Sequence, residues 1–384
     1  MKTVGIICEY NPFHLGHKKQ LNMIRASMGE DCAIVCLMSG NFVQRGHPAI
    51  FDKSIRAQAA IQCGADLVLE LPVTYALSSA EGFAAGGVKI LSTLCDSLCF
   101  GTESGTGDTL ATTAEALLRP EFSATLKLQL STGCSFPAAR KRALEALGCD
   151  TSLLKNPNDI LAVEYCKAIA QQQSPLKPMP IVREGSYHDT LPDPENPSAT
   201  ALRQLLPSGG WETYVPQAAI PLYTQAPQYT LKAGERAVLA RVRTMTDTDF
   251  ETLPYGSEGL WRKLMHACRR ESSVEAILEA VKSKRYTRTR IDRMLMCAHL
   301  GITREDLTQS PPYTRVLAFS QRGKAVLKNA RKNGNFPHIG EKMDDPYQQL
   351  EQRCDNLYGL FRIDAPAPAG QDAKRRVYIE NPPI

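Results

Sequence analysis

Two histidines, His14 and His17, stand three apart in the run VGIICEYNPFHLGHKKQL, residues 4–21. Apolar and small residues lead into Glu9, Tyr10, Asn11 and Pro12, and the histidines follow where a helix should begin. Imidazoles at i and i+3 share one helix face. The first turn of that helix also offers unpaired backbone N–H groups and the positive end of its dipole, a ready anion site. Gly16, between the two, lets the backbone come close to a ligand. Such a pair can donate to phosphate oxygens and stabilise the charge that develops as phosphorus is attacked. It could also pack, cap the helix or hold a metal, but the zinc-protease pattern is His-Glu-x-x-His, and no acidic residue separates these two. The pattern points to a polyphosphate held while its α-phosphorus is attacked.

Such a loop needs a strand behind it and neighbours around it. TVGIIC, CAIVCLM, DLVLELP, DSLCFG and MPIVRE read as short apolar strands. FHLGHKKQLNMIRASM, IFDKSIRAQAAIQCG (ended by Gly64), SSAEGFAAGGVKILSTL and NPNDILAVEYCKAIAQ read as helices, as do residues 120–150. This alternation predicts an α/β fold with a parallel sheet covered on both faces. Such sheets bind ligands at the carboxyl ends of their strands. The polar clusters EYNPFHLGH, SGNFVQRGHP, LPVTYALSSAE and GTESG all fall there. NPSATALRQLL predicts a short helix capped by Ser198. A Pro/Gly-rich passage then breaks the rhythm and places a domain boundary near residue 207. Residues 1–207 form the expected catalytic domain, and 208–384 a mainly helical one with one strand-like stretch, TRVLAFS.

The second half carries the charge. Residues 262–332 hold 17 Lys/Arg against six Asp/Glu, a surplus of 11 in a chain whose total is +5. That imbalance exceeds what i, i+4 pairing absorbs and predicts a nucleic-acid surface. Arg285, Arg288, Arg290 and Arg293 are its expected phosphate contacts, with Tyr286 a stacking partner. No run of 18 apolar residues is present, so no membrane span is expected. The chain enters a strand almost at once, without a signal-peptide pattern, and a cytoplasmic location is expected. The 12 cysteines include no Cys-x-x-Cys pair, so no metal site is expected, and Cys8 reads as core.

GIICEYNPFHLGH, MSGNFVQRGHPAIFDK, GADLVLELP, FGTESG, NPNDILAVEY and RVLAFSQRGKAVL together resemble the bacterial tRNA(Met) cytidine acetate ligase family, of the His-x-x-Gly-His nucleotidylyltransferase superfamily. The resemblance covers most of the chain. It implies a Rossmann-like nucleotidylyltransferase sheet with a C-terminal basic domain for tRNA. It implies activation of acetate by ATP, with Mg²⁺, to acetyl-adenylate, then acetylation of N4 of the wobble cytidine of elongator tRNA(Met). His14 and His17 become the catalytic pair. Residues 7–20 become the ATP loop: Ile7, Cys8, Glu9, Tyr10, Asn11, Pro12, Phe13, His14, Leu15, Gly16, His17, Lys18, Lys19 and Gln20. Gly101, Asn158 and Arg183 join them around the nucleotide. Arg45, Ser198 and Arg203 are candidate phosphate contacts, with Thr200 and Lys53 as further candidates. Leu15 stands where the family usually has a polar residue, and His47 where an acidic one is common. The competing readings are a small-molecule adenylyltransferase of coenzyme synthesis and a non-enzymatic tRNA-binding protein.

Overall fold

The computed structural model describes residues 1–182, 197–332, 338–339 and 345–380. Its centre is a seven-stranded sheet of β1 (Thr3–Cys8), β2 (Ala33–Ser39), β3 (Leu67–Leu71), β4 (Ser97–Thr102), β5 (Lys177–Val182), β6 (Val316–Phe319) and β7 (Tyr378–Ile379). Their order across the sheet is β7-β6-β3-β2-β1-β4-β5. All pairs are parallel except β3 with β6. β2 is buried along its whole length, which is why AIVCLMS carries no polar alternation. The order reverses between β1 and β4, and a crevice opens at the carboxyl ends of strands at such a reversal.

Alternation along β1 sends side chains to two cores. Val4 and Ile6 meet Leu21 and Ile24 of the helix Leu15–Met28 on one face. Ile7 meets Phe83, Ala84 and Val88 of the helix Ala80–Leu91 on the other. The helix Pro157–Gln171 lies on that second face as well, contributing Val163 and Tyr165. A third core is built by the helices Glu235–Thr244, Leu260–Arg270, Val274–Val281, Arg288–Leu300 and Pro346–Tyr358.

Two strands from beyond residue 207, β6 and β7, complete the sheet. A buried ion cluster ties this return in place. Lys53 is fully buried, with Nζ 2.7 Å from Glu70 and 2.6 Å from Asp355. Arg315 pairs with Glu70 at 2.8 Å, and Arg375 with Asp52 at 2.7 Å. Burial pushes the Asp355 carboxyl up, but Lys53, Arg375 and Arg315 together pull it well below the usual range. In Glu351, burial and the neighbouring Glu70 charge win, and the carboxyl is pushed up to about 7. Lys53, expected on phosphate, is therefore a structural cation; no side chain so enclosed by carboxylates can reach a ligand. Among the described residues no helix is long and apolar enough to cross a membrane.

Candidate active site

A cavity of about 430 Å³ opens at the carboxyl ends of β1 and β4. Its floor starts at the turn after β1. Tyr10 takes a left-handed backbone, φ 44°, which non-glycine residues rarely adopt. Tyr10 is held there by its hydroxyl, 3.3 Å from the Cys36 sulfur, and by ring contacts to Phe13 and His17, both at 4.8 Å. The fully buried Arg56 fastens the loops from beneath. It donates to the carbonyls of Phe51 (2.9 Å), Glu9 (2.6 Å), Ser39 (3.2 Å) and Gly40, which joins the ends of β1 and β2. Asn11 accepts from the Ile50 amide at 2.8 Å, and its own carbonyl accepts from Arg203 at 2.7 Å.

His14 is the N-cap of the helix Leu15–Met28. Its amide donates to His17 Nδ1 at 3.2 Å, and the two rings stack at 3.7 Å. This bond fixes the His17 tautomer: with Nδ1 accepting, the neutral ring carries its proton on Nε2. The expected histidine pair is thus one preorganised unit at a helix N-terminus.

Of the expected loop, Ile7, Cys8, Glu9, Tyr10, Asn11, His14, Gly16, His17, Lys19 and Gln20 line the cavity. Pro12, Phe13, Leu15 and Lys18 do not. Phe13 is fully buried, its amide donating to the Tyr223 hydroxyl at 3.0 Å. Lys18 points away and donates to the Cys63 carbonyl at 2.8 Å. Arg45, Ser198, Thr200 and Arg203 also line the cavity, as do Gly101 and Asn158. Ser198 caps its helix as expected, accepting from Ala201 N at 3.1 Å. Arg183 lies outside the described residues. Burial pushes the His47 imidazole below its usual value, and Arg203, Arg288 and Arg45 add to this against the pull of Asp292. Burial raises the Cys8 thiol, so it offers no thiolate for acyl transfer.

One pairing was not visible in the sequence. Glu103, after β4, accepts from Asn158 Nδ2 at 2.6 Å and from the Asp159 amide at 2.9 Å. Asp159 in return accepts from the amides of Glu103 (2.8 Å) and Ser104 (3.2 Å). The N-terminus of the helix Pro157–Gln171 is therefore already met by a carboxylate. Only the Glu-x-Gly and Asn-Asp types on two loops 55 residues apart hinted at this exchange.

The four arginines expected on RNA are engaged within the protein. Arg288 reaches Glu275 (2.7 Å), Glu279 (3.0 Å) and Asp292 (3.0 Å). Arg285 pairs with Glu258 at 3.1 Å. Arg290 donates to the Tyr255 carbonyl at 2.7 Å, and Arg293 to the Gln44 carbonyl at 3.4 Å. Tyr286 is buried, with its hydroxyl donating to the Glu258 carbonyl at 2.9 Å. It has no free face on which a base could stack.

Sheet, crevice and paired histidines define a nucleotidyl transferase, and residues 1–372 match the family model described as HIGH Nucleotidyl Transferase. The chain is similar to the tRNA(Met) cytidine acetate ligase of Acetivibrio thermocellus, 33% identical over 421 residues, covering 99% of this chain and 100% of the other. It is similar to the crystal structure of apo TmcAL from Thermotoga maritima, with a TM-score of 0.90, 31% identity and 99% of each chain covered. The same protein bound with alpha-thio ATP matches with a TM-score of 0.87 and 30% identity, again over 99% of each chain. The chain belongs to the tRNA(Met) cytidine acetate ligase family.

Proposed function

We propose that this protein uses ATP to activate acetate as acetyl-adenylate, then acetylates N4 of the wobble cytidine of elongator tRNA(Met). The observation that carries the chemistry is the stacked His14–His17 pair at a helix N-terminus inside a cavity that Lys19, Arg45 and Arg203 also line. Family membership supplies the substrates. The triphosphate lies along the positive wall, and His17 Nε2–H and the helix amides stabilise charge as an acetate oxygen attacks the α-phosphorus. Pyrophosphate leaves. The cytidine amine then attacks the acyl carbon, AMP leaves, and the amine gives up one proton. Holding the two reactants together supplies most of the acceleration of this second step. Among the described residues no group of three His, Cys, Asp or Glu is placed to hold a metal alone. Mg²⁺ fits as an ion arriving on the phosphates, with Glu9 and Glu103 the carboxylates in the cavity wall. Bound there, it would share the charge of the leaving pyrophosphate.

The division of labour follows the chain. Residues 1–207 supply the nucleotide site, and residues 208–384 meet the RNA while lending two strands to the sheet. Arg285, with 41% of its side chain exposed, is the best RNA contact of the four arginines. Arg293, on the Gln44 carbonyl, ties the helix Arg288–Leu300 to a catalytic loop, while Arg288 and Arg290 hold that helix to Glu275 and to the Tyr255 carbonyl. A tRNA substrate supports a cytoplasmic location. The test is incubation of the full chain with ATP, radiolabelled acetate and unmodified elongator tRNA(Met), followed by digestion of the RNA. Label in N4-acetylcytidine supports the reading, and RNA without label overturns it.

A further inference from the structure

The cavity has two walls of opposite character. His14, His17, Lys19, Arg45 and Arg203 make the polar one. Ile7, Phe83, Phe100, Leu161 and Tyr165 make the other, on the opposite face of the sheet. Ile7 cannot withdraw from it, because it packs directly on the backbone of Gly87, where a Cβ would collide with its side chain. The Phe100 and Tyr165 rings meet at 5.4 Å. Tyr165 is only 3% exposed and makes no hydrogen bond among the described residues. Its hydroxyl is not among the sealed, unpartnered polar atoms of the core; it borders the cavity, where a ligand can meet it. Burial pushes its phenol well up, and the nearby Glu9 carboxylate adds to this, so it stays a neutral donor. The Glu9 carboxylate beside it is turned to the Gln44 amide, which it accepts at 2.7 Å.

We propose that Tyr165 and the wall of Phe83, Phe100 and Leu161 form the carboxylic-acid pocket and measure the acid's chain length, a reading that rests on the ligase function above. The Tyr165 hydroxyl donates to one carboxylate oxygen. The other oxygen forms the new bond to the α-phosphorus as the bond from that phosphorus to the pyrophosphate oxygen breaks. The phenol keeps its proton throughout. The methyl group of a two-carbon acid enters between the rings, and a longer chain meets Leu161. One methylene in such a pocket is worth roughly 10–200-fold in selectivity.

Two variants of the full chain test this, with acetate-dependent adenylation as the readout and affinity for an ATP analogue as the control. Tyr165→Phe raises the KM for acetate about tenfold or more, as expected for losing one hydrogen bond to a charged group, and leaves analogue affinity unchanged. Leu161→Ala raises the ratio of kcat/KM for propionate over acetate about tenfold or more. An unchanged acetate KM in Tyr165→Phe, or an unchanged acid preference in Leu161→Ala, overturns the pocket while acetate-dependent activity of the parent keeps the ligase reading. A parent chain that binds the analogue but never responds to any acid overturns both.

Discussion

Gly46 sits between two cavity residues, Arg45 and His47, and its replacement by alanine tests how the helical half is docked on the catalytic loops. Gly46 has φ +80°, and a Cβ there would lie 2.5 Å from Arg293 N, 2.5 Å from Asp292 C and 2.7 Å from Asp292 O. All three are backbone atoms of the helix Arg288–Leu300, which is buried along much of its length and cannot swing aside. A left-handed backbone costs an L-residue about 1–2 kcal/mol. Overpacking against fixed atoms adds about 1–3 kcal/mol. Gly46→Ala should therefore lower stability by about 2–5 kcal/mol, read from the midpoint of urea unfolding. Whatever part of the strain is relieved by movement shifts Arg45 and His47. A displacement near 1 Å lowers kcat/KM on the order of 100-fold. Wild-type stability together with wild-type activity in Gly46→Ala would refute the docking of this helix on the loop.

Three further outcomes are expected. His17→Ala should lower kcat for adenylation roughly 10²–10³-fold, the scale for one group that stabilises transition-state charge, with a much smaller change in ATP-analogue affinity by calorimetry. Lys53→Met removes the buried cation shared by Glu70 and Asp355, leaving them only Arg315 and Arg375 at the edge of the cluster, and should cost about 3–5 kcal/mol, measured by denaturant unfolding. The Glu351 carboxyl is raised to about 7 in the folded chain from an ordinary value of 4.5, so its contribution to stability is complete below about pH 4.5 and is lost as pH rises through about 7. Thermal midpoints of Glu351→Gln should accordingly gain on the parent as the pH is raised across that window, and a constant difference would contradict the assignment.

The sheet and its crevice could be read from the sequence because each strand is a short apolar run followed by a turn signal. The stretches TVGIIC and CAIVCLM became β1 and β2 almost residue for residue. The histidine pair was equally visible, since strand, Gly16 and helix start are local. What escaped were contacts between distant segments. TRVLAFS reads as a strand, but its antiparallel place beside β3 goes with the pairing of Arg315 and Glu70 from the two halves of the chain. The cations Arg285, Arg288, Arg290 and Arg293 are plain in the sequence, but their partners Glu258, Glu275 and the carbonyls of Tyr255 and Gln44 lie on other elements. Local charge counting sees the cations and misses their acceptors. Tyr165 was hidden for a related reason: inside a helical apolar pattern, a tyrosine facing a cavity looks like any core residue.

Paired imidazoles at the helix start, acting on an α-phosphorus under attack by acetate, make a specific exchange reaction. The purified protein should move labelled pyrophosphate into ATP only when acetate is present, assayed with and without the tRNA(Met) transcript. Acetate-dependent exchange that falls roughly 10²–10³-fold in His17→Ala is the expected result. Exchange that ignores acetate, or that proceeds as fast in His17→Ala as in the parent, would contradict it.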